Sequence, residues 1–168
     1  MEDLFNYCSV VDKAFIHLKK YKLEDRVQVF EDSSATVKDA AERLKCEEAL
    51  IAKTMSFLID EKVILILAAG DSKIDNAKYR HEFGLKAKMI PFEQVLELVG
   101  HEPGGVCPFG INDGIDVYLD NSLKRFEFVY PACGSANSAV KLSIKELEFD
   151  NFPLIVGIDS KGGNIFNR

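Results

Sequence analysis

The sequence predicts an α/β fold of the α+β kind: a mixed, largely antiparallel sheet surrounded by helices. Two observations carry that expectation. Two strongly apolar segments, Leu50 to Ile59 and Val63 to Ala69, are separated only by Asp60-Glu61-Lys62, which reads as a hairpin. The other short strand-like and helical segments interleave without the strict alternation that a doubly wound parallel sheet requires.

In chain order, Leu4, Phe5, Val11, Phe15 and Leu18 recur at helical spacing and predict an amphipathic helix over 3–20. Val27 to Phe30 alternates like a short strand. Thr36, with Asp39 three residues on, opens a helix that runs to Leu44. Beyond the hairpin, Asp75 caps a helix to Phe83, and Gly84 ends it in a left-handed conformation. A strand at Ala87 to Ile90 precedes Pro91, which suits the first turn of a helix through Val99 closed by Gly100. Then come a strand at Val117 to Leu119, a short helix from Ser122, and strands at Phe126 to Pro131 and Ala139 to Leu142. Ser143 with Glu146 forms a capping box for a last helix. Leu154 to Ile158 reads as a final strand and 161–168 as a frayed tail. No repeat, low-complexity stretch or proline-rich linker divides the chain, so 1–168 is expected to be one domain.

Composition narrows the function. Apolar residues make up 47% of the chain, which suits an ordinary globular protein. The longest apolar run, 63–70, is far short of the ~20 residues that span a bilayer. The start Met-Glu-Asp lacks the pattern of a signal peptide, so a cytoplasmic location is expected and no membrane partner. The net charge of −6 disfavours coating of duplex nucleic acid but leaves room for contact with a nucleic-acid end. Cys8, Cys46, Cys107 and Cys133 form no C-x-x-C pair, and His17, His81 and His101 are scattered; neither a metal nor another cofactor is expected.

Two features point to chemistry. Pro103 to Gly110 packs three glycines and two prolines into eight residues. Such a loop is either a tight surface turn or a stiff cradle whose amides face an anion or a developing oxyanion. Lys53 interrupts an apolar strand and shares a face with Ile51 and Met55. It either snorkels to a sheet edge or marks a polar pocket. A basic segment, Lys73, Lys78, Arg80, Lys86 and Lys88, is either a solvated face or a surface for phosphates.

Four motifs occur together and in order: Ile51-Ala52-Lys53-Thr54-Met55, Ala69-Gly70-Asp71, Gly104-Gly105-Val106-Cys107-Pro108-Phe109-Gly110 and Val117-Tyr118-Leu119-Asp120. Over about 27–148 the chain resembles the YbaK/prolyl-tRNA-synthetase-associated domain family of aminoacyl-tRNA editing deacylases. The resemblance implies that Lys53 is the functional lysine and that Gly104 and Pro108 bound a loop facing the aminoacyl ester and terminal adenosine. Gly105, Val106 and Cys107 would then supply oxyanion-stabilising amides, with Phe109 beside them. Asp120 matches an acidic position on the following strand, and Gly134 and Ser135 fall where a glycine turn lines the pocket in relatives. Phe30 stands where some relatives carry tyrosine, which removes any hydroxyl-dependent contact there.

The activity so implied is trans-acting hydrolysis of the ester of a mischarged tRNA, tRNA-Pro or another carrying a small wrong amino acid. The partners would be the aminoacyl-tRNA 3′ end and prolyl-tRNA synthetase or another synthetase. The alternative is a non-catalytic module that binds the tRNA end or the aminoacyl group. Within the loop, Cys107 with His101 six residues upstream offers a competing thiol nucleophile.

Overall fold

The computed structural model describes residues 8–148 and 154–156. The elements are α1 (Cys8–Lys19), β1 (Val27–Val29), α2 (Val37–Leu44), β2 (Ile51–Ile59), β3 (Lys62–Ala69), α3 (Asn76–Phe83) and α4 (Val95–Val99). They are followed by β4 (Asp116–Asp120), β5 (Phe128–Pro131), β6 (Ser138–Val140), β7 (Leu142–Ser143), α5 (Ile144–Glu148) and β8 (Leu154–Val156).

The predicted hairpin is the longest pairing. β2 and β3 run antiparallel from Ala52↔Ala69 to Ile59↔Lys62. Lys62 belongs to the ladder rather than the turn, so only Asp60 and Glu61 connect the strands. Asp60 takes a left-handed conformation (φ 55°), which aspartate tolerates better than most residues. Around the hairpin a six-stranded mixed sheet has the order β7-β5-β2-β3-β4-β8. β5–β7 is also antiparallel, whereas β2–β5, β3–β4 and β4–β8 are parallel. β1 pairs with β6 in a separate antiparallel ribbon.

Both faces of the hairpin are covered, which explains why β3 is apolar almost throughout. Leu65, Leu67 and Ala69 enter the main core with Val95, Val99, Val117 and Leu119, together with Ala14 and Leu18 of α1. Ile64 and Ile66 point the other way, against Phe57 and Tyr79. Farther along that second face, Ala40 and Ala41 of α2 cover Ile51. Each large aliphatic side chain buried in this way contributes roughly 1.5–3 kcal/mol.

The caps read from sequence are in place. Thr36 accepts from Asp39 N–H, Asp75 from Lys78 N–H, and Ser143 and Glu146 exchange both capping-box bonds. Several boundaries differ. Ala87 to Ile90 is not a strand but touches β2 through the Phe57↔Met89 bridge and two flanking backbone bonds. The predicted Pro91–Val99 helix opens as a 3-10 turn, Phe92–Gln94, and the helix from Ser122 is a 3-10 segment, Asn121–Arg125. Phe126 caps that segment, so β5 starts two residues later than predicted. The predicted strand Ala139 to Leu142 breaks at Lys141, because β6 pairs with β1 and β7 with β5. The predicted positions 3–7, 157–158 and 161–168 lie outside the described residues.

Candidate functional site

Lys53 sits on an interior strand, which removes the sheet-edge reading. Its same-face neighbours belong to different clusters, Ile51 under α2 and Met55 beside Phe57 and Tyr79. The half-buried lysine occupies the gap between them, and its Nζ donates to the Ser72 carbonyl.

That gap opens into a cavity of about 180 Å³. Its floor is Ile51 to Thr54 of β2. One wall is the entry to α2, from Ser34 to Val37, with Ala40. Gly104 and Val106 of the glycine-rich loop form another, and Tyr130, Ala132, Ser138 and Ala139 complete the lining. Lys53 and the loop backbone, 51 residues apart in sequence, therefore face one space.

The cavity favours electron-rich ligands. The positive end of the α2 dipole, at Thr36 and Val37, adds to the ammonium of Lys53. The Thr54 hydroxyl is buried on the lining and has no hydrogen-bond partner among the described residues.

Within the loop, Gly104 adopts φ 88°, and Gly105 N–H donates to Glu102 O at 3.0 Å. The Gly105 amide is thus used in closing the turn, which corrects its expected oxyanion role. The glycine is required sterically: a Cβ there would stand 2.6 Å from the Ser135 backbone. Gly134 (φ 86°) donates its N–H to Gly105 O at 3.1 Å and ties the two turns together. The amides of Val106 and Cys107 have no acceptor among the described residues, and Val106 lines the cavity.

The Cys107 side chain points into the core rather than the cavity and is fully buried. Its Sγ lies 3.5 Å from His101 Nε2 and 3.6 Å from Phe109 O. Burial pushes this thiol well above its ordinary value, with the neighbouring Cys133 adding to the effect. Burial likewise raises Cys133 to about 12. His101 Nε2 donates to Phe109 O at 2.6 Å, and burial holds the imidazole below its ordinary value. A neutral, donating histidine does not ionise the thiol, so the structure argues against a Cys107–His101 nucleophile.

Other predicted residues are not among those that line the cavity. Pro108 and Phe109 are buried, and Phe109 packs 5.6 Å from the His17 ring of α1. Asp120 is 1% exposed and accepts from Ser122 N–H at 3.0 Å as a helix cap. Ser135 bonds to Asn137 and Ser138, and Phe30 exchanges bonds with Asn137. None of these six positions, including Gly134, is on the cavity lining. Ser34, Thr36, Thr54, Tyr130 and Ser138 do line it and were missed. A Ser-Ser-Ala-Thr run ahead of a helix was the available signal for the first two.

The N-terminal helix reinforces the loop from behind. Gly110 N–H donates to His17 Nδ1 at 3.2 Å, and a Cβ on Gly110 would stand 2.4 Å from Lys13 O. Of the basic segment, Lys73, Arg80, Lys86 and Lys88 are exposed. Among the described residues no helix is long and apolar enough to cross a membrane, and no three His, Cys, Asp or Glu side chains gather as a metal ion would require.

The mixed sheet with its surrounding helices is a fold shared with a known group. The profile of the aminoacyl-tRNA editing domain matches residues 31–149, and the chain belongs to that family. It is 53% identical over 137 residues to the uncharacterized protein YwhH of Bacillus subtilis (strain 168), covering 81% of this chain and 87% of YwhH. It is 32% identical over 117 residues to a proline--tRNA ligase of Halalkalibacterium halodurans, covering 69% of this chain but only 20% of the ligase. A solved structure provisionally named a trans-editing enzyme for prolyl tRNA synthetase superposes with a TM-score of 0.82 at 25% identity, covering 91% of this chain and 98% of that one.

Proposed function

We propose that this chain is a trans-acting aminoacyl-tRNA deacylase that hydrolyses the ester of a mischarged tRNA, with tRNA-Pro carrying a small wrong amino acid as the foremost substrate. The observation that carries this reading is the convergence of Lys53 with Gly104 and Val106 on one cavity. At about 180 Å³ it is smaller than the ~300–1,000 Å³ of sites for drug-sized ligands. It suits an aminoacyl group, with the tRNA body left outside.

In this reading water adds to the ester carbonyl, and the resulting oxyanion accepts hydrogen bonds from the Val106 and Cys107 amides. The tetrahedral intermediate collapses with departure of the ribose oxygen, which takes up a proton, and releases the free amino acid. Lys53 and the α2 N-terminus hold the electron-rich ester end in place. The Cys107 thiol takes no part. Selection is by size: one methylene is worth only about 1–3 kcal/mol, so a pocket this small admits several small residues and excludes bulky ones. Kinship with a stretch of proline--tRNA ligase supports the choice of tRNA and makes the synthetase a candidate partner.

The test is single-turnover deacylation by excess protein on a panel of mischarged tRNAs, repeated with Lys53→Ala. Ester loss is expected for small amino acids on tRNA-Pro, and a fall of about 10²–10³ in the variant with its circular dichroism unchanged. Binding without ester loss above the spontaneous rate would instead identify a non-catalytic module. An unchanged rate in Lys53→Ala would remove the lysine from the site.

A further inference from the structure

Asp71 and Asp120 both belong to the motifs singled out in the sequence, yet neither lines the cavity. A chain of hydrogen bonds gives them a common task. Asp120 Oδ2 accepts from Ser122 N–H at 3.0 Å, and Ser122 Oγ accepts from Ala69 N–H at 3.0 Å, which fixes the end of β3. The Ser122 carbonyl accepts from Arg125 Nε at 2.9 Å. The same guanidinium closes on Asp71 through two parallel bonds, Nη1 to Oδ2 at 3.0 Å and Nη2 to Oδ1 at 2.5 Å. Between Ala69 and Ser72 the chain turns, with Ser72 N–H donating to Ala69 O at 2.9 Å. The carbonyl of that same Ser72 holds Lys53 Nζ.

The turn is also limited from beneath. A Cβ on Gly70 would stand 2.0 Å from Glu48 O and 2.7 Å from Val37 Cγ1. The turn therefore lies against the entries to β2 and α2, and Arg125 grips its outer side through Asp71.

The geometry points to Asp71 and Arg125 as positioning residues for Lys53: their bidentate pair clamps the 70–72 turn so that the Ser72 carbonyl presents the ammonium to the cavity. A part-exposed ion pair contributes little to stability, whereas the fork of two bonds fixes orientation, which is what this turn requires. The kinetic consequence rests on the deacylase reading; the effect on Lys53 itself does not.

The test uses the full chain with Asp71→Asn, which keeps the shape and loses the charge, and Arg125→Lys, which keeps the charge and loses the fork. Lys53 is probed directly with an N-hydroxysuccinimide acetate pulse and peptide mass spectrometry. The expected result is several-fold faster acetylation of Lys53 in both variants, with Lys62 and the melting curve unchanged. Single-turnover deacylation should fall about tenfold at saturation, with the half-saturating protein concentration unaltered. Unchanged Lys53 labelling, or equal acceleration at every lysine, overturns the clamp. Faster labelling with an unchanged rate overturns its part in the reaction. If Lys53→Ala deacylates like the parent, the functional reading fails while the labelling still reports on the clamp. Should Asp71→Asn not fold, Arg125→Lys carries the same measurements.

Discussion

Gly105→Ala subjects the site to a perturbation whose size can be worked from distances. The new Cβ would lie 2.6 Å from N, Cα and C of Ser135, all of them backbone, so no flexible side chain can give way. Ordinary contact begins at 3.4 Å, and the two turns must part by about 1 Å. That separation stretches the 3.1 Å bond from Gly134 N–H to Gly105 O beyond hydrogen-bonding distance, at a cost of about 1 kcal/mol. Overpacking of the buried contact adds about 1–3 kcal/mol. The sum, about 2–4 kcal/mol, lowers the melting temperature by roughly 5–15 °C for a chain of this size. Val106 is the next residue and lines the cavity, so its amide moves with the loop, and a displacement of about 1 Å costs about 10² in rate. Thermal unfolding followed by circular dichroism reads the first effect, and single-turnover deacylation well below the new melting temperature reads the second. Parental melting would refute the packing argument. Lower melting with a parental rate would refute the placement of the loop in the site.

Cys107→Ser should leave deacylation per folded molecule nearly unchanged, since a covalent nucleophile would show losses approaching ~10⁶. The same substitution should cost about 1–3 kcal/mol in urea unfolding, because the shorter C–O bond draws the buried hydroxyl away from Phe109 O. A collapse of the rate in folded protein would restore the thiol mechanism. Burial lowers the His101 pKa, so the unfolded chain takes up that proton first. His101 thus contributes stability that is fully present above about pH 6.5 and is lost as the pH falls below it. His101→Gln, which retains a donor toward Phe109 O, should flatten this part of the profile between pH 7 and 5. An unaltered slope would contradict the assignment.

Local signals were legible where a single residue type decides the outcome. Thr36, Asp75, Gly84 and the Ser143–Glu146 box each set a helix end by bonds within four residues, and all are found as read. The hairpin was legible because two apolar runs of strand length adjoin. Lys53 stands out because it interrupts an otherwise apolar strand. What sequence could not supply was the direction of side chains in the glycine-rich loop. Cys107, Pro108 and Phe109 look like site residues by adjacency, yet they turn into the core while Gly104 and Val106 face the cavity. Gly105 illustrates a related limit, since its small size serves the approach of Ser135, thirty residues away, rather than a ligand. The far wall, Tyr130 and Ser138, depends on β5 pairing with β2 and on β6 leaving the sheet for β1, a long-range choice that no local pattern records.

The family match begins at residue 31, but the architecture supporting the cavity begins earlier. β1, at 27–29, is the only partner of β6 among the described residues, and α1 supplies Ala14 and Leu18 to the core and His17 to Gly110. Excising the shared segment alone would take the His17 ring away from Phe109 and leave β6 without β1. Any fusion or minimal fragment built around this editing unit must therefore bring its amino-terminal brace along, or lose the rigidity of the loop at the end farthest from the cut.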